Sequence, residues 1–121
     1  MLKKHAVSIS YAWNGLIWAV RTQNNYKAHI TLIFLSVGGG LFFNINYAEW
    51  LVILALSIMG LIIETLNTAI ERLGDAITLN YNEHIKIAKD VSAAAMLIYA
   101  SGAIIMAGVI FLPKFIAFFV R

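Results

Sequence analysis

The 121-residue sequence contains no cysteine, one proline and few charged residues. Without cysteine the chain can form neither disulfides nor thiolate metal sites. Charged residues make up 12% of the chain and hydrophobic residues 61%, a balance outside the usual range for soluble domains. The apolar residues also come in long uncharged runs. The sequence therefore predicts an integral membrane protein, with residues 1–121 forming a single domain.

The sequence also lacks a phosphate-binding loop of the GxxxxGK[ST] type. The three consecutive glycines at 38–40 lie in the middle of an apolar run, where such a loop does not belong. Any nucleotide must then be held differently from the way soluble kinases hold it. We expect no nucleic-acid partner.

Apolar runs separated by polar breaks predict an all-α membrane protein with three spans. Over residues 5–22 apolar and polar side chains segregate at helical spacing, which is typical of an amphipathic helix lying on the bilayer surface. The spans are expected at about 28–46, 49–70 and 91–112, with Pro113 ending the last. A chain this small cannot enclose a shielded site alone, so we expect a symmetric oligomer with sites between subunits.

The basic residues predict the orientation in the membrane. The turn at 44–49 has no lysine or arginine, whereas the segment before the first span and the segment between the second and third are basic. By the positive-inside rule both basic segments face the cytoplasm. The C-terminus is then outside, where Lys114 and Arg121 weaken the bias without reversing it. The basic residues in question are Lys3, Lys4, Arg21, Lys27, Arg72, Lys86 and Lys89.

The second predicted span carries its polar residues on one helical face. Asn67, Glu71 and Asp75 follow Glu64 by three, seven and eleven positions, and each offset returns close to the same side of a helix. In the predicted orientation Glu64 lies deeper in the membrane than Glu71. A deep carboxylate suits a proton acceptor, while a shallow one can stay ionised and bind a divalent cation through its oxygens. Asn67 can orient a ligand without adding charge.

Lys89 and Asp90 lie side by side in "AKD" just before the third span. A lysine there can neutralise phosphate oxygens, and an aspartate can help to hold a metal or a sugar hydroxyl. Together with the acidic face, they match the requirements of metal-assisted phosphoryl transfer, which depends mostly on positioning and charge neutralisation.

These motifs resemble the small bacterial membrane kinases of the diacylglycerol kinase and undecaprenol kinase family. The matching stretches are "E..LNTAIE..D" at 64–75, "AKD" at 88–90 with small residues after it, and "N...H" at 25–29. The resemblance covers nearly the whole chain. It implies a homotrimer in the bacterial cytoplasmic (inner) membrane, with composite active sites between protomers, and with the N-terminus and active site on the cytoplasmic side. Such enzymes use Mg²⁺ and ATP to phosphorylate a lipid alcohol, here undecaprenol or diacylglycerol.

The resemblance also implies roles for individual residues. By motif position Glu64 resembles the general base and Glu71 a metal ligand that also contacts the nucleotide. Further nucleotide contacts are expected from Tyr11, Asn67, Lys89 and Asp90, and contacts with the lipid substrate from Trp13, Asn25 and His29.

Gln23 departs from the family pattern, because it stands where the family carries a second metal-binding glutamate. A neutral amide coordinates a divalent ion more weakly than a carboxylate, so Asp75 or a phosphate oxygen has to compensate. Gln23 is still the expected second metal position. The pair Asn25 and His29 resembles the undecaprenol kinase branch more closely, which favours that lipid modestly.

The same residues also have structural interpretations. Glu64 could be a protonated hydrogen-bonding group between helices, although ionisable groups at membrane depth are costly. The charges around Glu71 could mark a solvated helix end, and Lys89 a topology determinant. His29 could be an ordinary surface histidine, and Trp13 an interface anchor.

Two other functions remain open at this point. A small proton-coupled transporter also uses one intramembrane glutamate, but it needs that carboxylate near the bilayer midplane and a fourth span. A non-catalytic membrane subunit would use the acidic face for docking.

Overall fold

A computed structural model describes the backbone of residues 2–120 and the side chains of residues 7–120. This part of the chain forms four helices and no strand: α1 (Leu2–Thr22), α2 (Asn24–Phe42), α3 (Tyr47–Ile77) and α4 (Glu83–Phe119). The prediction of an all-α fold with an N-terminal helix is confirmed. The side chains of Lys3, Lys4 and Arg121, which entered the topology argument, lie outside the described residues.

Two of the described helices, α3 and α4, are long and apolar enough to cross a membrane. At 31 and 37 residues they are about 46 and 55 Å long, more than the roughly 30 Å of a bilayer core. The first predicted span, 28–46, corresponds to α2, which is not among these candidates. Its first two turns carry Asn24, Asn25, Lys27 and His29, and these polar side chains lower its mean hydropathy.

Side-chain caps define where α3 and α4 begin. Asn46 Oδ1 accepts the Glu49 backbone N–H at 3.0 Å, and Glu49 Oε2 accepts the Asn46 N–H at 2.8 Å, which completes a capping box. Asn82 caps α4 by accepting the Ile85 N–H at 3.2 Å. In the turn before α3, Asn44 has a φ of 49°, a left-handed conformation that asparagine tolerates better than most residues.

The expectation that Pro113 ends the last helix is wrong, because α4 continues through it to Phe119. Proline removes one hydrogen bond within a helix, but contacts made by the following turns compensate. Lys114 Nζ bonds Glu49 Oε1 on α3 at 2.5 Å. The Phe118 ring packs edge-on against Phe42 of α2, with 5.4 Å between ring centroids. Tertiary packing thus holds the end of α4 in a helix.

Helix α3 lies at the centre and contacts the other three helices. The buried apolar cluster is small and lies near the start of α3, where Ile45, Ile53 and Ile110 meet. Most other large apolar side chains of α3 and α4 are exposed. Since soluble monomers rarely expose so much contiguous apolar surface, lipid or other protein chains must cover it.

Candidate active site

A cluster of polar side chains is buried between α3 and α4 in the C-terminal half of α3. Glu64 is 2% exposed, while Asn67, Thr68 and Ser92 are each 6% exposed. Glu64, Asn67 and Thr68 come from consecutive turns of α3, the first two as the helical offsets predict, and Ser92 comes from α4. Buried polar side chains need hydrogen-bond partners, so the partners of each one indicate its role.

Glu64 is the exception within this cluster, because its Oε2 atom is buried without a hydrogen-bond partner among the described residues. The side chains of Asn25 and Thr68 face the carboxyl group. A buried oxygen without a partner is unfavourable in the isolated chain. It is therefore available to a ligand that brings a hydrogen-bond donor.

Asn67 is fixed in one orientation by its neighbours. The Ser92 hydroxyl lies 2.7 Å from Asn67 Oδ1 and 2.8 Å from the Lys89 carbonyl oxygen, and can donate to one of them at a time. The amide of Asn67 donates from Nδ2 to Glu71 Oε1 at 3.2 Å. This chain of contacts joins α4 to the exposed carboxylate of Glu71, and it leaves Glu71 Oε2 available.

Lys89 and Asp90 take up separate positions on α4. Lys89 reaches across to α3, where its Nζ bonds Asp75 Oδ1 at 2.5 Å. Its Cε also passes over Gly74, where an added Cβ would lie only 2.9 Å away. Asp90 instead pairs with Lys86 on the exposed side of α4. Adjacent residues of a helix point about 100° apart, so the two predicted nucleotide contacts do not share one face.

Helices α1 and α2 close the other side of the acidic face. The Tyr26 hydroxyl, on a side chain that is 2% exposed, lies 2.6 Å from Thr65 Oγ1. The guanidinium of Arg72 lies over the Trp18 ring, 4.9 Å from its centroid. These contacts bring the α1–α2 junction alongside the same turns of α3 that carry Glu64 and Glu71.

Gln23 lies at that junction, between α1 and α2, as the N-cap residue of α2. It is half-buried, and its Nε2 donates to Thr22 Oγ1 at 3.2 Å, so its amide oxygen is free of that bond. Tyr11 and Trp13 lie earlier on α1 and are 71% and 61% exposed. Neither side chain makes a hydrogen bond to another described residue.

The side-chain oxygens of this site suit a magnesium ion only when phosphate groups complete its coordination. Within residues 7–120 no three histidine, aspartate or glutamate side chains converge on one point. Mg²⁺ is commonly held by one or two carboxylates together with substrate phosphates and water, rather than by a complete protein cage. The exposed carboxylate of Glu71 is a donor of this kind. The chemistry of the site therefore fits a magnesium ion that arrives with phosphate groups.

Sequence reasoning missed several residues that build the site. Ser92 follows Lys89 by three positions, so it shares the face of α4 that meets α3, and this spacing could have identified it. Thr68 follows Glu64 by four positions and could have been found in the same way. The contacts of Tyr26 with Thr65 and of Trp18 with Arg72 depend on how α1 and α2 fold back, which no local spacing encodes.

Comparison with known proteins agrees with this chemistry. The sequence matches the family profile described as prokaryotic diacylglycerol kinase over residues 10–111. It is 33% identical over 115 residues to a diacylglycerol kinase from Synechocystis sp., covering 94% of this chain and 66% of that protein. It is 32% identical over 113 residues to an undecaprenol kinase from Bacillus subtilis, covering 93% of this chain and 92% of that protein.

The fold and the matches define a helical membrane protein of the lipid kinase class. The chain belongs to the prokaryotic diacylglycerol kinase family. The family resemblance read from "E..LNTAIE..D" and "AKD" is thereby confirmed. The chain spans about two thirds of the length of the Synechocystis relative and nearly all of the Bacillus relative.

Proposed function

We propose that this protein is an ATP-dependent lipid kinase, which transfers the γ-phosphoryl group of ATP to the hydroxyl of a membrane lipid. Family membership supports the reaction class, and both relatives are named as lipid kinases. The observation that carries the proposal for this chain is the buried oxygen of Glu64, which has no partner among the described residues and lies beside the Asn67–Glu71 pair. Neither a proton-coupled transporter nor a docking subunit has use for that combination.

In the proposed reaction Glu64 is the general base. Its Oε2 accepts the proton of the lipid hydroxyl while the hydroxyl oxygen forms a bond to the γ-phosphorus. The bond from the γ-phosphorus to the bridging oxygen breaks, and ADP leaves with that oxygen. Asn25 and Thr68, which face the carboxyl group, orient it toward the acceptor.

The neighbouring residues would hold the nucleotide and its metal. Glu71 supplies a carboxylate oxygen for Mg²⁺, with Gln23 as a second, weaker donor and Asp75 or a phosphate oxygen in support. A bound Mg²⁺ neutralises negative charge on the phosphate oxygens. Lys89 adds positive charge beside Asp75, and Asn67 presents its amide between the two glutamates. Tyr11 and Asp90 are further proposed nucleotide contacts, and Trp13, Asn25 and His29 proposed lipid contacts.

We further propose three spans and a homotrimer in the bacterial cytoplasmic membrane. Helix α2 would supply the span in addition to α3 and α4, with its polar first turns at the headgroup level. Extensive exposed apolar surface on α3 and α4 supports coverage by lipid and by other copies of the chain. The exposed positions of Tyr11 and Trp13 are compatible with roles completed by a neighbouring protomer. The site would face the cytoplasm, as the basic residues predict.

The acceptor is proposed to be undecaprenol or diacylglycerol, the lipids in the names of the two relatives. The pair Asn25 and His29 favours undecaprenol. The cavity that begins at His29 is about 210 Å³ and is lined mostly by apolar side chains, so it accepts a hydrocarbon chain of either lipid.

The test is transfer of labelled γ-phosphate from MgATP by purified protein in micelles, with undecaprenol and diacylglycerol offered separately. We expect labelled lipid product that depends on Mg²⁺. Product from one lipid alone identifies the acceptor. No product from either lipid, at saturating ATP and Mg²⁺, would contradict the proposal and favour a non-catalytic subunit with a degenerate metal site at Gln23.

A further inference from the structure

Arg72 is held against an aromatic ring next to the proposed metal ligand. It directly follows Glu71 on α3, and its guanidinium lies 4.9 Å from the centroid of the Trp18 ring on α1. A guanidinium stacked on an aromatic face keeps the N–H groups at its edge available for hydrogen bonds. The stack therefore positions a cation without using up its hydrogen-bond donors.

The two lysines near the end of α3 and the start of α4 already have acidic partners. Lys89 is paired with Asp75, and Lys86 with Asp90. Arg72 forms no salt bridge with any acidic side chain within residues 7–120. A site that receives a polyphosphate needs positive charge that is not already neutralised, and Arg72 supplies it.

The position of Arg72 around the helix places it on the flank of the site opposite Lys89. Relative to Glu64, Arg72 is about 80° around the α3 axis in one direction, and Gly74, which Lys89 covers, is about 80° in the other. Thr65, which contacts Tyr26 of α2, lies on the Arg72 side. The acidic face thus runs between a lysine from α4 and an arginine held by α1.

We infer that Arg72 binds the phosphate groups of the substrate and that Trp18 positions it for this task. This inference rests on the proposed function, since it assigns a further binding residue to the same site. Arginine suits the task because its planar fork can donate two parallel hydrogen bonds to a phosphate. The phosphate belongs either to the nucleotide or to a phospholipid headgroup at the membrane surface, and the stacked geometry serves both.

The experiment compares the wild type with Arg72→Gln, Arg72→Lys and Trp18→Leu, using Lys27→Gln as a control. Lys27 is an exposed cation on α2 whose side chain donates to Asn24 at 3.5 Å, so Lys27→Gln removes one positive charge and one weak hydrogen bond. The assays measure kcat, KM for ATP and inhibition by ADP and AMP. All are run in neutral detergent micelles, with and without phosphatidylglycerol, and the thermal midpoint of each variant is recorded.

We expect Arg72→Gln to raise KM for ATP by at least about tenfold, as loss of a charged hydrogen bond commonly does. The inhibition constant of ADP should rise similarly, and that of AMP much less. Arg72→Lys should recover part of the loss. Trp18→Leu should raise KM by about threefold, the scale of one exposed cation–π contact. The Lys27→Gln control should match the wild type.

Each other outcome overturns a defined part of the inference. If weakened ATP binding appears only in micelles that contain phosphatidylglycerol, the phosphate is that of the lipid headgroup. If ATP, ADP and AMP weaken equally while the thermal midpoint falls, Arg72 is a structural tether and the inference is wrong. If the wild type turns over and Arg72→Gln keeps its KM, the inference fails while the proposed function stands. If the wild type neither binds ATP nor turns it over, both the proposed function and the inference about Arg72 are wrong.

Discussion

The two ends of α3 hold their carboxylates in different environments. Near its start, the capping box between Asn46 and Glu49 and the ion pair from Glu49 to Lys114 give a partly exposed carboxylate its partners within the chain. In its C-terminal half, Glu64 is more deeply buried than Glu49, and its Oε2 has no hydrogen-bond partner among the described residues.

We interpret this difference as one between a structural carboxylate and a carboxylate that is available to a ligand. Glu49 closes a helix end and joins α4 to α3, so its bonds are complete without any other molecule. Glu64 Oε2 makes no such bond to any described residue. A buried group that lowers stability is retained where function requires it. Four substitutions test this interpretation, two in the proposed site and two in the rest of α3.

The largest effect is expected for Glu64→Gln. The amide has the shape of the carboxylic acid but cannot accept the hydroxyl proton, so turnover should fall by about 10³-fold. Thermal stability should be unchanged or higher, because a neutral group replaces an unpartnered carboxylate. Product formation with the preferred lipid and the unfolding midpoint measure the two effects. Substantial turnover by this variant would remove Glu64 from the mechanism.

Glu71→Gln should have the next largest effect, on metal dependence. Loss of a direct carboxylate ligand should raise the Mg²⁺ concentration for half-maximal activity by at least about tenfold, since even outer partners of a metal contribute that much. A Mg²⁺ titration of initial rates measures it. Gln23→Glu is the matched control, because it adds a carboxylate instead of removing one, and it should lower the Mg²⁺ concentration for half-maximal activity. An unchanged Mg²⁺ requirement in both variants would place the metal elsewhere.

Gly60→Ala tests packing midway between the two ends. A Cβ there would lie 2.5 Å from the Tyr99 hydroxyl, which donates to the Leu56 carbonyl oxygen at 2.6 Å. The ring must move and lose that bond, so the free energy of unfolding should fall by about 1–3 kcal/mol. Gly38→Ala is the control, because a Cβ at that position meets nothing within 4 Å. Equal stability of the two variants, by denaturant titration in micelles, would contradict the packing described.

Glu49→Gln should have the smallest effect. Glutamine can keep the capping bond to the Asn46 N–H but loses the charge that pairs with Lys114. Since both side chains of this pair are partly exposed, the unfolding midpoint should fall only slightly, with turnover unaffected. The control is Glu83→Gln, an exposed glutamate in the first turn of α4.

The sequence predicted those features that depend on local spacing. The face of α3 that carries Glu64, Asn67 and Glu71 follows from helical periodicity alone, and the structure places these three side chains together. The all-α fold and the N-terminal helix follow from hydrophobic patterning. Family motifs supplied the reaction class, which spacing left open.

Features that depend on contacts between helices could not be predicted in this way. Pro113 carries a local signal to end a helix, but Lys114 and Phe118 hold the following turns through contacts with α3 and α2. Lys89 and Asp90 are adjacent in sequence, yet each pairs with a different residue because adjacent helical side chains diverge. The exposed apolar side chains of α3 and α4 likewise suit contact with lipid and contact with another protein chain equally well, so hydrophobic patterning does not predict which of the two covers them.

The most direct test of the account measures Glu64→Gln and Glu49→Gln side by side, each for lipid phosphorylation and for thermal unfolding. The account predicts a crossed result: Glu64→Gln loses turnover and keeps its unfolding midpoint, whereas Glu49→Gln keeps turnover and unfolds at a lower temperature. If both variants lose stability and both remain active, Glu64 is a second structural carboxylate, and the central claim is contradicted.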